Sequence, residues 1–317
     1  MEDWPELPYY HWKKTYETLH RLTQIIGKVR LSKSSWANHS WNSTLYVTSR
    51  GLSTSAIPLP NRNISLEFDF IDHKLTFEDS RGQYDEIWLK NKSVASFYKE
   101  VGHILTAFNI EMEFDPKPNE CEDCVPFYQD EIHHTYELEY VERFFQILVN
   151  INNIFQKFRS DFIGKSSPVH FFWGSFDLAV TRFSGRKAPE HPGVAPHISP
   201  EIIKEAYSHE LCSFGFWPGS ESYPQAAFYS YAYPEPAKYS KSSISPTSAF
   251  YHQGLKEFIL NYSDVRASSD PEDLIYQFLN STYSSCADLG LWDRDALEES
   301  VYLDHLQMKH DNLLHLS

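Results

Sequence analysis

Alternation of apolar and polar residues predicts several strands in the first half of the chain. In the segment 63–70, NISLEFDF, every second residue from Ile64 to Phe70 is large and apolar, and the residues between them are polar. This period of two is typical of a strand with one buried face. Shorter runs extend the pattern into an antiparallel meander: STLYVTS at 43–49, HKLTFED at 73–79, DEIWLK at 85–90 and IEMEFD at 110–115.

A period near 3.6 residues predicts helices on either side of the strand-rich segments. The first helix covers 9–26 and is expected to end at Gly27. The second begins after Ser93, whose hydroxyl can cap its free N–H groups. A third spans roughly 135–160, and a fourth begins after Asp270. Strand-like runs return between the last two helices: ELCSFGFW at 210–217, AAFYSYAY at 226–233 and KEFILNY at 256–262.

This order of elements predicts an α+β fold made of two pseudo-repeated units, each an antiparallel sheet with flanking helices. The first unit is predicted to cover residues 1–120 and the second 135–317. The acidic segment 121–134 is interpreted as a connector loop between them. The alternative is one compact pseudo-symmetric domain.

Short matching motifs indicate an internal duplication. Both halves contain Ile-Gly-Lys, then a His and a Trp, then Leu-x-Val-Thr, then an Arg next to a Gly. Ligand sites are favoured at the interface of such units, so we expect a cleft between the halves. The matched residues are Ile26–Lys28 with Ile163–Lys165, His39 and Trp41 with His170 and Trp173, Leu45–Thr48 with Leu178–Thr181, and Arg50–Gly51 with Gly185–Arg186.

The segment 167–186, SPVHFFWGSFDLAVTRFSGR, combines core-like aromatic residues with charged ones. Gly174 and Ser175 fit a two-residue type II′ turn, which predicts a hairpin in which Phe172 pairs with Asp177. One face of this hairpin is apolar. The opposite face contains His170, Phe172, Asp177, Ala179 and Thr181.

On that second face, His170 and Asp177 are diagonal neighbours, close enough for a hydrogen bond. Such a bond orients an imidazole and raises its basicity, as catalytic bases require. If Asn42-Ser43 forms the equivalent turn in the first half, His39 falls on the equivalent face. The alternative is that each histidine is structural and is bonded to a neighbouring strand.

Further candidates lie on or near the same strands. His209 and Glu210 are adjacent, and neighbouring strand residues point to opposite faces, so at most one enters a given site. Arg182 and Arg186 suit a carboxylate or phosphate ligand, although pairing with Asp or Glu is the alternative. His170, His209 and Glu210 are also candidate ligands of a divalent metal, with His39 as a further ligand. The remaining predicted substrate-binding residues are Trp173, Thr181, His39, Arg50 and Trp217.

Charge excludes some classes of partner. The formal net charge of −15 opposes binding to nucleic acid and to anionic membranes, so a small-molecule ligand is expected. The first residues, MEDWPELPYY, lack the basic and apolar regions of a signal peptide, which predicts a soluble, cytoplasmic protein. The strong phosphate-loop, esterase, zinc-protease and dinucleotide motifs do not occur in the sequence.

Two segments of the chain are predicted to be loops, the C-x-x-C region and a proline-rich stretch. Cys121 and Cys124 form a lone C-x-x-C, which His133 and His134 could complete as a zinc site. The alternative is an exposed acidic loop with reduced thiols. Residues 187–200 are rich in proline and are interpreted as a surface loop or lid.

SPVHFFWGSFDLAVTRFSGR, together with AYSHE at 206–210, GFWPG at 215–219 and LYVTSRGLSTS at 45–55, resembles the protein family of unknown function designated DUF5996. The resemblance extends over nearly the full length. The family pattern near Asn38-His39 has two adjacent Trp residues where this chain has Ser40-Trp41. The resemblance implies no activity, cofactor or catalytic residue.

These observations favour an enzyme of hydrolase or lyase type that acts on a small polar or anionic metabolite. His170 would act as the acid or base, oriented by Asp177, and Arg182 or Arg186 would hold an anionic group. The alternatives are a non-catalytic small-ligand-binding protein and a metal-dependent hydrolase.

Overall fold

A computed structural model of the chain describes residues 3–121, 123–193 and 199–299. Within these ranges the protein has an α+β fold with seven α-helices and two antiparallel six-stranded sheets, in agreement with the predicted fold class. The helices are α1 (Tyr9–Lys33), α2 (Val94–Ala107), α3 (Leu138–Ser160), α4 (Pro200–Ala206), α5 (Tyr262–Arg266), α6 (Pro271–Leu289) and α7 (Arg294–Leu297).

The first sheet lies between α1 and α2 in the chain. Its strands follow the order β1-β2-β4-β5-β6, and β3 also pairs with β4. Every pair is antiparallel. The strands are β1 (Tyr46–Val47), β2 (Gly51–Ser53), β3 (Ile57–Leu59), β4 (Arg62–Asp69), β5 (Lys74–Asp79) and β6 (Tyr84–Trp88).

The second sheet follows α3. Its strand order is β11-β12-β10-β9-β8-β7, again antiparallel throughout. Helix α4 lies between β8 and β9 in the chain, and α5 and α6 follow the last strand. The strands are β7 (His170–Phe172), β8 (Asp177–Lys187), β9 (His209–Trp217), β10 (Ala227–Tyr233), β11 (Phe250–His252) and β12 (Glu257–Asn261).

The two sheets meet edge to edge beside β1 and β7. Leu45 and Phe171 exchange two backbone hydrogen bonds, with N···O distances of 2.9 and 2.8 Å. Helices α3 and α6 contact the second sheet, and the ring centroids of Phe158 on α3 and Phe214 on β9 are 4.8 Å apart. One buried apolar cluster includes residues of both halves, so the inner sides of the two sheets share a core.

Two helix ends show how well local signals predict structure. Ser93 caps α2 as expected, because its hydroxyl accepts a hydrogen bond from the N–H of Ser96. The predicted stop at Gly27 is wrong, since α1 continues to Lys33. Glycine is needed there for packing, because a Cβ on Gly27 would lie 2.1 Å from Cδ1 of Trp173.

The register predicted for the second-half hairpin is confirmed. Phe172 pairs with Asp177, and His170 pairs with Ala179. The predicted type II′ turn is wrong: the chain turns through residues 173–176, and the residue with positive φ is Phe176, at 58°. Glycine at 174 leaves room for a carboxylate, because a Cβ there would lie 2.3 Å from Oε1 of Glu120.

Two strand predictions for the first half are also wrong. Residues 110–115 form no strand, and the turn between β1 and β2 lies at 48–50 rather than at Asn42-Ser43. Around Ser43 and Thr44, the side-chain hydroxyls donate to the backbone oxygens of Ser40 and Trp41, which stabilises a compact turn instead of an extended strand.

The second sheet has two unlike faces. Its inner face packs against the helices and contributes Leu178, Phe214, Phe228 and Leu260 to the main core. The residues at the alternate positions define what we call the outer face. The outer face contains His170, Phe172, Asp177, Ala179, Thr181, Phe183, Ser213, Gly215, Trp217, Tyr229, Tyr231, Glu257 and Ile259.

Candidate functional site

Asp177 is the most buried carboxyl group of the outer face. It follows the hairpin turn directly and is only 6% exposed. The hydroxyl of Ser175 donates to Oδ1 and that of Tyr229 donates to Oδ2, both at 2.5 Å. Burial raises the pKa of Asp177 even though both hydrogen bonds favour its ionised form. The fold thus holds this carboxyl group in one orientation.

Two glutamates lie near Asp177, and with it they form what we call the carboxyl cluster. Glu120 comes from the segment after α2, and Glu257 is the first residue of β12. Glu257 is half-buried, whereas Glu120 is exposed as a residue and only its carboxyl end is desolvated beside the hairpin. Desolvation, with the negative charge of Asp177, raises the pKa of each glutamate to about 7. Among the described residues, no Lys or Arg forms an ion pair with any of these carboxyl groups. The like charges are therefore uncompensated, and each site favours a proton.

Aromatic side chains surround the carboxyl cluster. The rings of Trp217 and Tyr229 have centroids 5.4 Å apart, and those of Tyr229 and Tyr231 are stacked at 6.0 Å. The hydroxyl groups of Tyr231 and Tyr207 lie 3.1 Å apart. Trp217, Tyr231 and Tyr207 are half-buried, so their rings remain accessible from the outside. Such a surface combines apolar rings with proton donors and acceptors, the usual composition of a small-molecule site.

The rim of this region includes part of the segment that the sequence predicts to be a surface loop or lid. The ring of His191 stacks on Tyr207 at 4.6 Å, and the hydroxyl of Tyr233 donates to the backbone oxygen of Pro189. These contacts place residues 189–191 beside the tyrosines. Residues 194–198 of the predicted lid lie outside the described residues.

The predicted hydrogen bond between His170 and Asp177 is not formed. Nδ1 of His170 donates to the backbone oxygen of Pro168 at 2.6 Å, and Nε2 is buried without a hydrogen-bond partner. The side chain is 1% exposed, and burial lowers the pKa of His170 to about 4. The two residues share a face as predicted, but Asp177 is bonded to hydroxyl groups and His170 to the backbone two residues before it.

Arg186 and Glu210 contact each other. Nε of Arg186 donates to Oε2 of Glu210 at 2.8 Å, and its Nη atoms donate to the backbone oxygens of Gly290 and Leu291 at the end of α6. These contacts of Arg186 join β8, β9 and the end of α6, which agrees with the alternative of pairing with a carboxylate. Adjacent His209 points elsewhere, since its ring lies 6.2 Å from that of His39.

Arg182 is enclosed by aromatic rings instead of facing a ligand. It is 1% exposed, and its Cζ lies 3.5 Å from the ring centroid of Phe158 and 4.4 Å from that of Tyr283. Burial lowers the pKa of Arg182 to about 10. Its Nη2 group donates to the backbone oxygen of Phe158, while Nε has no hydrogen-bond partner.

Three other predicted binding residues have structural contacts. Arg50 forms ion pairs with Asp69 at 2.6 Å and Asp72 at 2.7 Å. Trp173 is buried, and its Nε1 donates to the backbone oxygen of Ser43. Thr181 lies on the outer face, where its hydroxyl is 2.9 Å from that of Ser213. Among the site residues predicted from the sequence, Asp177, Thr181 and Trp217 are thus the ones that lie on the outer face with the carboxyl cluster and its aromatic neighbours.

The described part of the chain contains no set of side chains that could bind a metal ion. No three His, Cys, Asp or Glu side chains are grouped closely enough there to hold an ion, including His170, His209 and Glu210. Cys121 is buried, accepts a hydrogen bond from Gln24, and has a pKa raised to about 11 by burial. Cys124 donates to the backbone oxygen of Cys121.

Sequence reasoning missed Glu120, Glu257, Tyr229 and Tyr231. The sequence contains a signal for Glu257. In KEFILNY, Glu257 lies on the same strand face as Ile259, and the opposite face is apolar. No comparable signal existed for Glu120, which lies in a loop and reaches the hairpin only through the tertiary fold.

The chain belongs to the family of unknown function DUF5996, whose family model matches residues 4–299. No curated protein and no solved structure matches the chain. Among the described helices, none has the length and continuous apolar character that crossing a lipid bilayer requires.

Proposed function

We propose that this protein binds a small polar molecule at the outer face of the second sheet and acts on it by acid–base chemistry. The carboxyl cluster of Glu120, Asp177 and Glu257 supplies the reactive groups. Thr181 and Trp217 keep the substrate-binding roles expected from the sequence. Asp177 becomes one of the reactive groups instead of orienting His170, and His170 and the arginines do not enter the proposal. A hydrolase or lyase reaction remains the expected type.

The observation that supports the proposal most is the raised pKa of Glu120 and Glu257, about 7 for each. Near neutral pH each of these glutamates is close to half protonated, so one group can donate a proton while the other accepts one. Perturbed carboxyl groups of this kind are concentrated at functional sites.

The expected charge of the substrate differs from the one that the sequence indicates. Arg182 and Arg186 are both engaged within the fold, and the carboxyl cluster repels negative charge. A neutral or positively charged polar molecule is therefore favoured over the anionic metabolite expected from the sequence. The rings of Trp217 and Tyr231 can pack against its apolar part.

A ligand screen tests the proposal. Small neutral and cationic polar molecules are added to the wild-type protein, to Glu257→Gln and to the control Glu78→Gln, which alters an exposed glutamate on β5. We expect some compounds to raise the Tm of the wild type and of Glu78→Gln but not that of Glu257→Gln, and NMR to detect conversion of at least one of them. Binding without conversion would favour the non-catalytic alternative. Equal shifts in all three proteins would contradict the site.

We also infer that the two halves arose by duplication. Each half runs from a long helix through an antiparallel meander to a second helix, and the two meanders adjoin at Leu45 and Phe171. This order matches β1 with β7 and β2 with β8. The motif match between Leu45–Thr48 and Leu178–Thr181 instead aligns β1 with β8, so the duplication rests on the order of elements.

The class of partner and the cellular location are also proposals. The net charge of −15 favours a small-molecule partner over nucleic acid. A cytoplasmic location agrees with the four free cysteines, because disulfides are rare in reducing compartments.

A further inference from the structure

A lysine and a histidine are in contact at one end of the outer face, beside Phe183. Nζ of Lys165 lies 2.9 Å from Nε2 of His39. The ammonium group also lies 5.0 Å from the ring centroid of Phe183 and 5.6 Å from that of Trp41. The backbone of Lys165 is fixed by a hydrogen bond from the N–H of Phe183 to its carbonyl oxygen.

The contacts of His39 determine which of its nitrogens bears the hydrogen. Nδ1 lies 2.9 Å from the backbone oxygen of Ala206, and a carbonyl oxygen can only accept. Nδ1 is therefore the donor, and Nε2 has a free lone pair that faces Lys165. The backbone N–H of His39 donates to the carboxylate of Glu205, which keeps the residue in place. Nε2 can thus accept a proton from the amine.

Lys165 differs from the paired lysines of this chain. Lys74 and Lys204, for example, lie within 2.8 Å of a glutamate oxygen, and hydrogen bonds to those glutamates raise their pKa values. Lys165 has a histidine and two rings as neighbours, and the partial desolvation of its ammonium group by these neighbours lowers its pKa, although the charge of Glu205 opposes this. Burial also lowers the pKa of Lys28, but Lys28 is only 6% exposed. Lys165 is exposed and can be reached from the outside.

We propose that Lys165 is a nucleophilic amine that condenses with a small aldehyde or ketone, assisted by His39. The neutral amine adds to the carbonyl carbon, and the carbonyl π electrons move to the oxygen. The proton lost by nitrogen passes through Nε2 of His39 to that oxygen, giving a carbinolamine. Loss of water then forms the C=N bond, so the amine and carbonyl compound give an imine and one water molecule. Trp41 and Phe183 contact the apolar part of the ligand.

Reductive trapping tests this site in the full chain. The protein is treated at pH 7 with propanal and sodium cyanoborohydride, and the modified lysines are located by peptide mass spectrometry. We expect Lys165 to be alkylated faster than Lys74, because a lowered pKa leaves a larger fraction of its amine free at pH 7 whereas the pKa of Lys74 is raised. Equal rates at Lys165, Lys74 and Lys204 would overturn the proposal.

Two variants separate the role of His39 from a general effect on folding. In His39→Gln, we expect the rate at Lys165 to fall toward that of Lys74, while the rate at Lys74 stays unchanged. In Trp41→Leu, which keeps His39, we expect the pH dependence of trapping to retain its wild-type midpoint as the apparent affinity for propanal falls. Unchanged trapping at Lys165 in a folded His39→Gln protein would remove His39 from the proposal and contradict it.

Discussion

Each of the two sheets has a glutamate on one of its strands, Glu86 on β6 and Glu257 on β12, and the pKa values of these two carboxyl groups are shifted in opposite directions. On the first sheet, Glu86 lies 2.8 Å from Nζ of Lys74, and this contact lowers the pKa of Glu86. On the second sheet, Glu257 has no cationic partner among the described residues, and burial raises its pKa to about 7. Neighbouring charge and solvent, rather than strand geometry, decide whether a carboxyl group of a sheet stays ionised.

This difference suggests different uses. Ion pairs on an exposed sheet keep carboxylates charged and contribute little to stability. A group of unpaired carboxyl groups under aromatic rings costs stability, and such a cost is common where a protein keeps a reactive site. The second sheet is therefore the better place to search for activity.

The largest expected effect comes from Gly215→Ala, which tests whether the outer face of the second sheet is rigidly packed. A Cβ at this position would lie 2.3 Å from Cζ and the hydroxyl oxygen of Tyr229, which Asp177 holds in place. We expect a loss of about 1–3 kcal/mol in the free energy of unfolding, measured by denaturant titration. Ser65→Ala on β4 is the control, with an expected change below about 0.5 kcal/mol. Similar values for both variants would mean that Tyr229 moves freely.

The next effect is a difference in pH dependence between Glu257→Gln and Glu86→Gln. A raised pKa favours the protonated group in the folded state, so the wild type loses stability as pH rises from about 4.5 to 7. Glu257→Gln removes this loss, and its stability relative to wild type should grow by about 1–2 kcal/mol between pH 5 and 8, after allowance for partial exposure.

Glu86→Gln should behave in the opposite way. Its lowered pKa stabilises the folded state above pH 4.5, and that contribution is lost as pH falls through the folded-state pKa. The variant should be slightly less stable than wild type at pH 7 and equal to it in strong acid. The comparison of the two sheets fails if both variants change with pH in the same direction.

The smallest effect concerns the coupling within the carboxyl cluster. Asp177→Asn removes one negative charge but leaves the burial of Glu120 and Glu257 unchanged. Because burial is the larger cause, we expect the pKa of each glutamate to fall to a value between 4.5 and about 7. Carbon NMR of proteins labelled at the glutamate carboxyl carbon measures both values. No change in either would show that the three groups are not coupled.

Local patterns predicted the strands and the hairpin register because a period of two fixes which residues share a face. His170, Asp177 and Thr181 were placed correctly on one face for that reason. The hydrogen-bond partners were not predictable, since Tyr229 is 52 residues from Asp177 in sequence and reaches it across the intervening strand β9. Proximity in the hairpin favours His170 as the partner of Asp177, whereas His170 donates to the backbone oxygen of Pro168.

The turn residues mislead for a related reason. The sequence predicts a helix stop at Gly27 and a turn glycine at Gly174, which are the usual local roles of glycine. In the fold both positions are small because a distant side chain, Trp173 or Glu120, occupies the adjacent space. Packing constraints between residues far apart in the chain cannot be recognised from a single sequence.

The contact between Leu45 and Phe171 also bears on aggregation. A strand at the border of a sheet offers free N–H and C=O groups to other chains, and proteins generally shield such borders. Here each half shields the other, because the two residues satisfy one another's backbone groups at the place where both sheets would otherwise end. Separating the halves would expose two short strand edges whose free backbone groups can pair with other chains. Solubility therefore favours keeping both halves in one chain.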